Sequence, residues 1–208
     1  MTKYSQSSNS QPLLYNADLS QDSCGVGFIT HKRSVQTHDL LAKSHEALCT
    51  IPHRGGMSAE GIGDGAGVNI DLSLKFFRKI TSNPTLELGQ FGVANFFFPE
   101  DHAHYDSAAN ELVERHFKEF DLPLISRRVI PVDNSVINAA AVKAQLPIEQ
   151  FIFGRPTHLQ NATHDEFEKH VQRALVTIEQ EGFSCAELAG FYPLSMSSRT
   201  QVYKGRLN

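Results

Sequence analysis

The chain has 208 residues, 40% of them hydrophobic and 20% charged, with a formal net charge of −4. A chain of this length hides roughly 70% of the surface that its unfolded form exposes, enough for one large domain with a real core. Its Lys and Arg residues do not cluster, so the electrostatic footprint of a nucleic-acid binder is missing, and no apolar run approaches the roughly 20 residues of a membrane-spanning helix.

Residues 1–23 are polar and rich in Ser, Gln and Asn, without the apolar centre of a secretory signal, and are expected to form an extended leader. The three cysteines, Cys24, Cys49 and Cys185, make no CxxC pair and leave one over. That pattern suits the reduced thiols of a cytoplasmic protein rather than a disulfide framework. Cys24–Thr30 (CGVGFIT) alternates and is rich in β-formers, which predicts a strand. A helix is expected over Thr37–Thr50, with Leu41, Ala47, Leu48 and Ile51 on its apolar side and Pro52 ending it. After His53-Arg54-Gly55-Gly56 comes a loop with glycines at 61, 63, 65 and 67, then a short strand over Val68–Leu72 and a helical turn over Leu74–Ile80.

Gln90–Phe98 (QFGVANFFF) predicts a strongly apolar strand stopped by Pro99. Asp106 is placed as the N-cap of an amphipathic helix reaching Phe120, with Leu112, Val113, Phe117 and Phe120 on one face. Strands are expected over Leu124–Val132 and Gln150–Phe153. The clearest helix runs from Thr163 to Glu181: Thr163 and Glu166 make a capping box, Phe167, Val171, Ala174, Leu175 and Ile178 form its stripe, and Gly182 stands at a C-cap position. The stretch Phe191–Tyr203 predicts a β-rich end. Strands that follow one another and also alternate with helices argue for an α+β or layered α/β fold.

Several groups can carry chemistry. Cys24 opens its strand beside Gly25 and Gly27, where the backbone can approach a ligand closely, although a lone cysteine is more often a small buried hydrophobe. Arg54 beside a thiol would raise its thiolate fraction, or it can hold a structural carboxylate in a helix-ending turn. Residues 61–66 (GIGDGA) match the loose dinucleotide fingerprint, but no strand leads directly in and no clear helix leaves, so nucleotide binding is not expected. The ten histidines, His102, His104, His164 and His170 among them, make no zinc spacing with the cysteines, and no metal is expected. The acids Asp165, Glu166 and Glu168 suit the positive end of a helix dipole and need no catalytic role.

Taken in order, Ser23–Phe28, His53–Gly56, Gly63–Val68, Pro131–Val136, and Ser197–Thr200 with Val202–Gly205 resemble the opening of the large (alpha) subunit of glutamate synthase, from about Leu14 onward. The resemblance implies an N-terminal-nucleophile (Ntn) amidotransferase domain over residues 24–208, an αββα sandwich incomplete at its C-terminus. It implies that residues 1–23 are removed, leaving Cys24 as both nucleophile and, through its freed α-amino group, general base. Arg54 matches the arginine near the nucleophile. The substrate is L-glutamine, and the flavin (FMN) and iron–sulfur cluster of the whole enzyme lie outside this chain, where ammonia is used to convert 2-oxoglutarate to glutamate.

In the family the arginine that holds glutamine lies in a His-Gln-Arg-Phe-Ser-like run and the oxyanion-hole pair in an Asn-Gly-Glu run, both after the stretch that matches Val202–Gly205. This sequence ends at Asn208 without them. Since losing one oxyanion donor costs roughly 10²–10³ in rate, the chain is expected to be inactive alone, either as a truncated product or as a part that a second polypeptide completes. The competing expectations are a non-catalytic remnant or interaction module of the same fold and, more remotely, a thiol-based redox or metal protein.

Overall fold

A computed structural model describes residues 26–49, 65–99 and 107–205. The elements are α1 (His38–Cys49), β1 (Ala66–Asp71), α2 (Leu74–Thr81), β2 (Phe91–Phe97), α3 (Ala108–Glu119), β3 (Leu124–Val129), α4 (Ala139–Lys143), β4 (Ile148–Gly154), α5 (His164–Ser184), β5 (Tyr192–Ser197) and β6 (Thr200–Gly205). The architecture is α+β, and every strand pairing is antiparallel.

Four strands form one sheet in the order β3–β4–β2–β5, and β1 pairs with β6 in a separate two-stranded ladder. In β2 all residues but the last are buried, and all of β4 is, because both faces of these inner strands are covered. On one face Ala94, Phe96, Phe98, Phe151, Phe153 and Met196 pack under α3 and α5. Phe96 meets Phe151 with ring centroids 5.6 Å apart, and Phe98 stands edge-on to Phe191 at 5.5 Å, the geometry that opposes a ring's edge to another's face. On the other face Phe91, Val93 and Ile152 pack with Leu72, Phe77 and Leu86 beside α2. Phenylalanines on alternating sides of QFGVANFFF therefore supply two cores at once.

Local signals set most boundaries. Thr163 and Glu166 form the expected capping box at the start of α5. Ser73 caps α2 by accepting from Phe76 N, and Ser82 closes it in the left-handed region at φ 52°. Asp106 lies outside the described residues; the side chain that accepts from Asn110 N, at the first turn of α3, is Ser107. The strand expected to reach Val132 ends at Val129, since Pro131 has no N–H to continue the ladder. The strand read as Gln150–Phe153 extends by two residues at its start and one at its end, and the short α4, capped by Asn138, was not foreseen.

Three expectations are corrected. No strand forms over 26–30: Val26 is 97% and Phe28 92% exposed, and among the described residues no strand pairs with this segment, without which β-propensity alone cannot hold it. No residue of α1 is buried, and Leu41 and Leu48 of its expected apolar side are each 38% exposed. Gly182 is not a C-cap. The helix runs on to Ser184, and Gly182 is buried within it because a Cβ there would lie 2.9 Å from the Phe191 ring.

Gly182→Ala weighs the two roles of that glycine against each other. Alanine gains about 1 kcal/mol of helix propensity over glycine, but forcing a carbon against a ring wedged beside Phe96 and Phe98 costs about 1–3 kcal/mol. The denaturant midpoint is expected to fall, by a net loss of about 1 kcal/mol; an unchanged or raised midpoint would show that the ring yields freely.

Candidate functional site

Cys24 and Arg54 lie outside the described residues, as do His53, Gly55, Gly56, Gly63 and Asp64. The frame that borders them is described. Gly65, with φ 89°, turns the chain into β1, a backbone conformation that an L side chain resists. From there β1 runs against β6 in the register Ala66↔Gly205, Gly67↔Lys204, Val68↔Tyr203 and Asn69↔Val202. Two motifs far apart in sequence, the glycine-rich segment and Val202–Gly205, are thus brought side by side. Gly67 suits that approach, because a Cβ on it would make a tight contact, 3.1 Å from the Tyr203 carbonyl oxygen. Residues leading towards α1 touch the same ladder's end, where Gln36 Nε2 donates to Leu72 O at 3.2 Å.

A buried polar seam joins the ladder to the four-stranded sheet. Asn95 Nδ2 donates to Val202 O at 2.8 Å, and Gln150 Nε2 donates to Asn95 Oδ1 at 2.9 Å and to Gln201 Oε1 at 3.2 Å. Arg128 Nε completes the row by donating to Gln150 Oε1 at 2.8 Å. Asn95, Gln150 and Gln201 are all buried, and each bond matters because an unmade one leaves a desolvated polar group.

The turn between β5 and β6 is held from α5. Glu168 Oε2 accepts from Ser198 N at 2.7 Å and Ser198 Oγ at 2.6 Å, and Oε1 accepts from Ser197 Oγ at 2.8 Å and Gln172 Nε2 at 2.9 Å. Burial pushes the Glu168 carboxyl up, but the bonds from Ser198, Ser197 and Gln172 outweigh it and hold the group below the ordinary carboxylate value. His164 Nε2 bonds the same Ser198 hydroxyl at 3.0 Å, and Arg199 pairs with Asp165 on the surface.

These contacts add to the reading of the acidic start of α5. Asp165 and Glu166 lie in its first turn, Glu166 in the capping box, while Asp165 also pairs with Arg199 and Glu168 is taken up by the turn. The signal was present in Ser197-Ser198-Arg199, which offers two hydroxyls and a guanidinium to acids spaced along one helix end. His170 Nε2 bonds Phe120 O at 2.7 Å, a packing role, while His102 and His104 lie outside the described residues. Pro131–Val136 falls in the connection between β3 and α4, where Asp133 accepts from Ser135 N and Oγ at 2.9 and 2.6 Å; those bonds lower its carboxyl. Cys49 and Cys185 are free thiols. Among the described residues no three His, Cys, Asp or Glu side chains gather into a metal site, and no helix is long and apolar enough to cross a membrane.

Comparison with known proteins adds the family. The glutamine amidotransferases of class II match residues 24–208. The large chain of glutamate synthase [NADPH] from Bacillus subtilis is 31% identical over 199 residues, covering 93% of this chain and 13% of that protein. Ferredoxin-dependent glutamate synthase 2 of Synechocystis is 32% identical over 212 residues, 99% of this chain and 13% of that one. Glutamate synthase [NADH] of Saccharomyces cerevisiae is 28% identical over 203 residues, 93% and 9%. The chain thus spans only 9–13% of the length of these relatives.

A carboxyl whose folded value is depressed adds stability above its unfolded value and loses it as pH falls through the folded one. Glu168→Gln is therefore expected to cost about 1–2 kcal/mol at pH 7. The gap to the parent should narrow as pH falls below the ordinary glutamate value and through the depressed one, where the parent carboxyl also takes a proton. Urea unfolding of both proteins across pH checks this; a gap constant with pH would mean that the charge on Glu168 contributes nothing.

Proposed function

The chain belongs to the class-II glutamine amidotransferases, and from that membership we propose that it is the glutaminase part of a glutamate synthase, with Cys24 as nucleophile. The observation that carries the reading is the match to the family, which begins at residue 24, the cysteine itself. Removal of residues 1–23 makes Cys24 the first residue and frees its α-amino group. With an unperturbed pKa of about 7.7–8.0, that amine can take the thiol proton near neutral pH, which an amide nitrogen cannot.

In this reading Cys24 Sγ attacks the side-chain amide carbon of L-glutamine, and the carbonyl π electrons move onto oxygen. The tetrahedral adduct collapses, the C–N bond breaks, and nitrogen leaves as ammonia with the proton that the α-amino group had taken up. Water then attacks the thioester, releasing glutamate and restoring the thiol. Arg54 favours the thiolate electrostatically. The fold that goes with this chemistry is the Ntn αββα sandwich. Its support is the α+β arrangement in which α3 and α5 cover one face of a four-stranded sheet while the β1–β6 ladder lies across the other. Ammonia passes to a synthase region whose FMN and iron–sulfur cluster lie outside this chain, and no step here uses them. A cytoplasmic location is part of the same proposal.

A diazoketone analogue of glutamine tests the nucleophile without requiring turnover. Intact-mass analysis is expected to show one adduct, mapped to Cys24 by peptide sequencing and lost in Cys24→Ala. Labelling that persists in Cys24→Ala, or a chain beginning at Cys24 that takes no label, would favour a remnant of the fold without the activity.

A further inference from the structure

No residue of β1 is buried: its side chains alternate between partly covered and exposed. A strand whose one covered face is covered only in part fixes its register weakly, although a slip of one residue would turn all its side chains over. The register must come from β6. On that strand Gln201 is buried against Gln150, and Val202 O is held by Asn95, so β6 cannot slip without breaking the seam.

The start of β6 is fixed by one carboxylate. Glu168 binds Ser197 and Ser198, and the Ser197 hydroxyl oxygen in turn accepts from Arg199 N at 3.0 Å and Thr200 N at 3.2 Å. Arg199 O accepts from Leu72 N at 2.9 Å, just beyond β1. Ser197, opposite Val93, is the last residue of the four-stranded sheet, and Thr200, opposite Asp71, is the first of the ladder. Every residue of the crossing is therefore tied, directly or through one bond, to Glu168.

We propose that Glu168 is a positioning residue of this amidotransferase: through the Ser197–Thr200 turn it holds, together with the Asn95–Gln150–Gln201 seam, the register of β6 on β1, and so the placement of Gly65–Gly67 at the far end of the ladder. The functional part rests on the amidotransferase reading; the register does not.

Hydrogen exchange followed by mass spectrometry, on the whole chain and on Glu168→Gln, separates the two. In the variant the amides of residues 66–71 and 200–205 are expected to gain on the order of tenfold in exchange rate over those of β2 and β4, which rise only with the global loss of stability. Glu166→Gln, which touches only the helix cap, should leave the ladder as in the parent. Faster exchange confined to 197–199, or a rise no larger in the ladder than in β2 and β4, overturns the proposal. Should Glu168→Gln not fold, Glu168→Asp, whose shorter arm cannot keep bonds of 2.6–2.9 Å, is read in the same way. The diazoketone reaction at Cys24 is measured alongside. A slower reaction in the variant with parent-like ladder exchange contradicts the register mechanism, whereas an unreactive parent with a loosened variant ladder refutes only the amidotransferase reading.

Discussion

Between Ser197 and Thr200 the chain leaves a four-stranded sheet and begins a ladder with β1, and two residues make the crossing. So tight a transition needs its polar groups satisfied in place. Glu168 does this from α5, taking the Ser198 N–H and both serine hydroxyls, which leaves the Ser197 oxygen to receive the next two backbone N–H groups. Because a carboxylate is the acceptor, these bonds are stronger than neutral ones. The helical layer, the large sheet and the ladder are joined at that point, and the polar seam of Asn95, Gln150 and Gln201 continues the junction along β6.

The division of labour follows from what each layer buries. β2 and β4 are covered on both faces and carry the aromatic core, so their pairing is held by packing. The ladder is different: β1 buries nothing, and β6 buries mainly a glutamine. Polar contacts with defined directions hold what apolar burial leaves loose. The ladder also follows in sequence on the segment that carries Arg54.

Much of the fold was legible because its signals are local. A Thr and a Glu three residues apart announced α5, and a run of phenylalanines announced β2. What failed depended on distant partners. Cys24–Thr30 has the composition of a strand, yet over 26–30 there is none to pair with among the described residues. Gly182 has the position of a cap, but the nearby Phe191 ring gives it a packing role instead. Glu168 was accounted for by the helix dipole, an explanation sufficient for its position and blind to the serines 29 and 30 residues away. The ordered motifs did reveal the family, and the structure gives two of them a shared reason: Gly65–Val68 and Val202–Gly205 are the facing strands of one ladder. The proposed nucleophile was readable only through the resemblance, since a single cysteine among glycines has no chemistry of its own to announce.

The proposed chemistry turns on the state of one nitrogen, and the mass of the mature chain reads that state directly. It predicts a protein beginning at Cys24, shorter than the translated sequence by its first 23 residues. A mature chain that retains Met1, or that begins elsewhere, would leave Cys24 with an amide in place of a base and contradict the proposed chemistry.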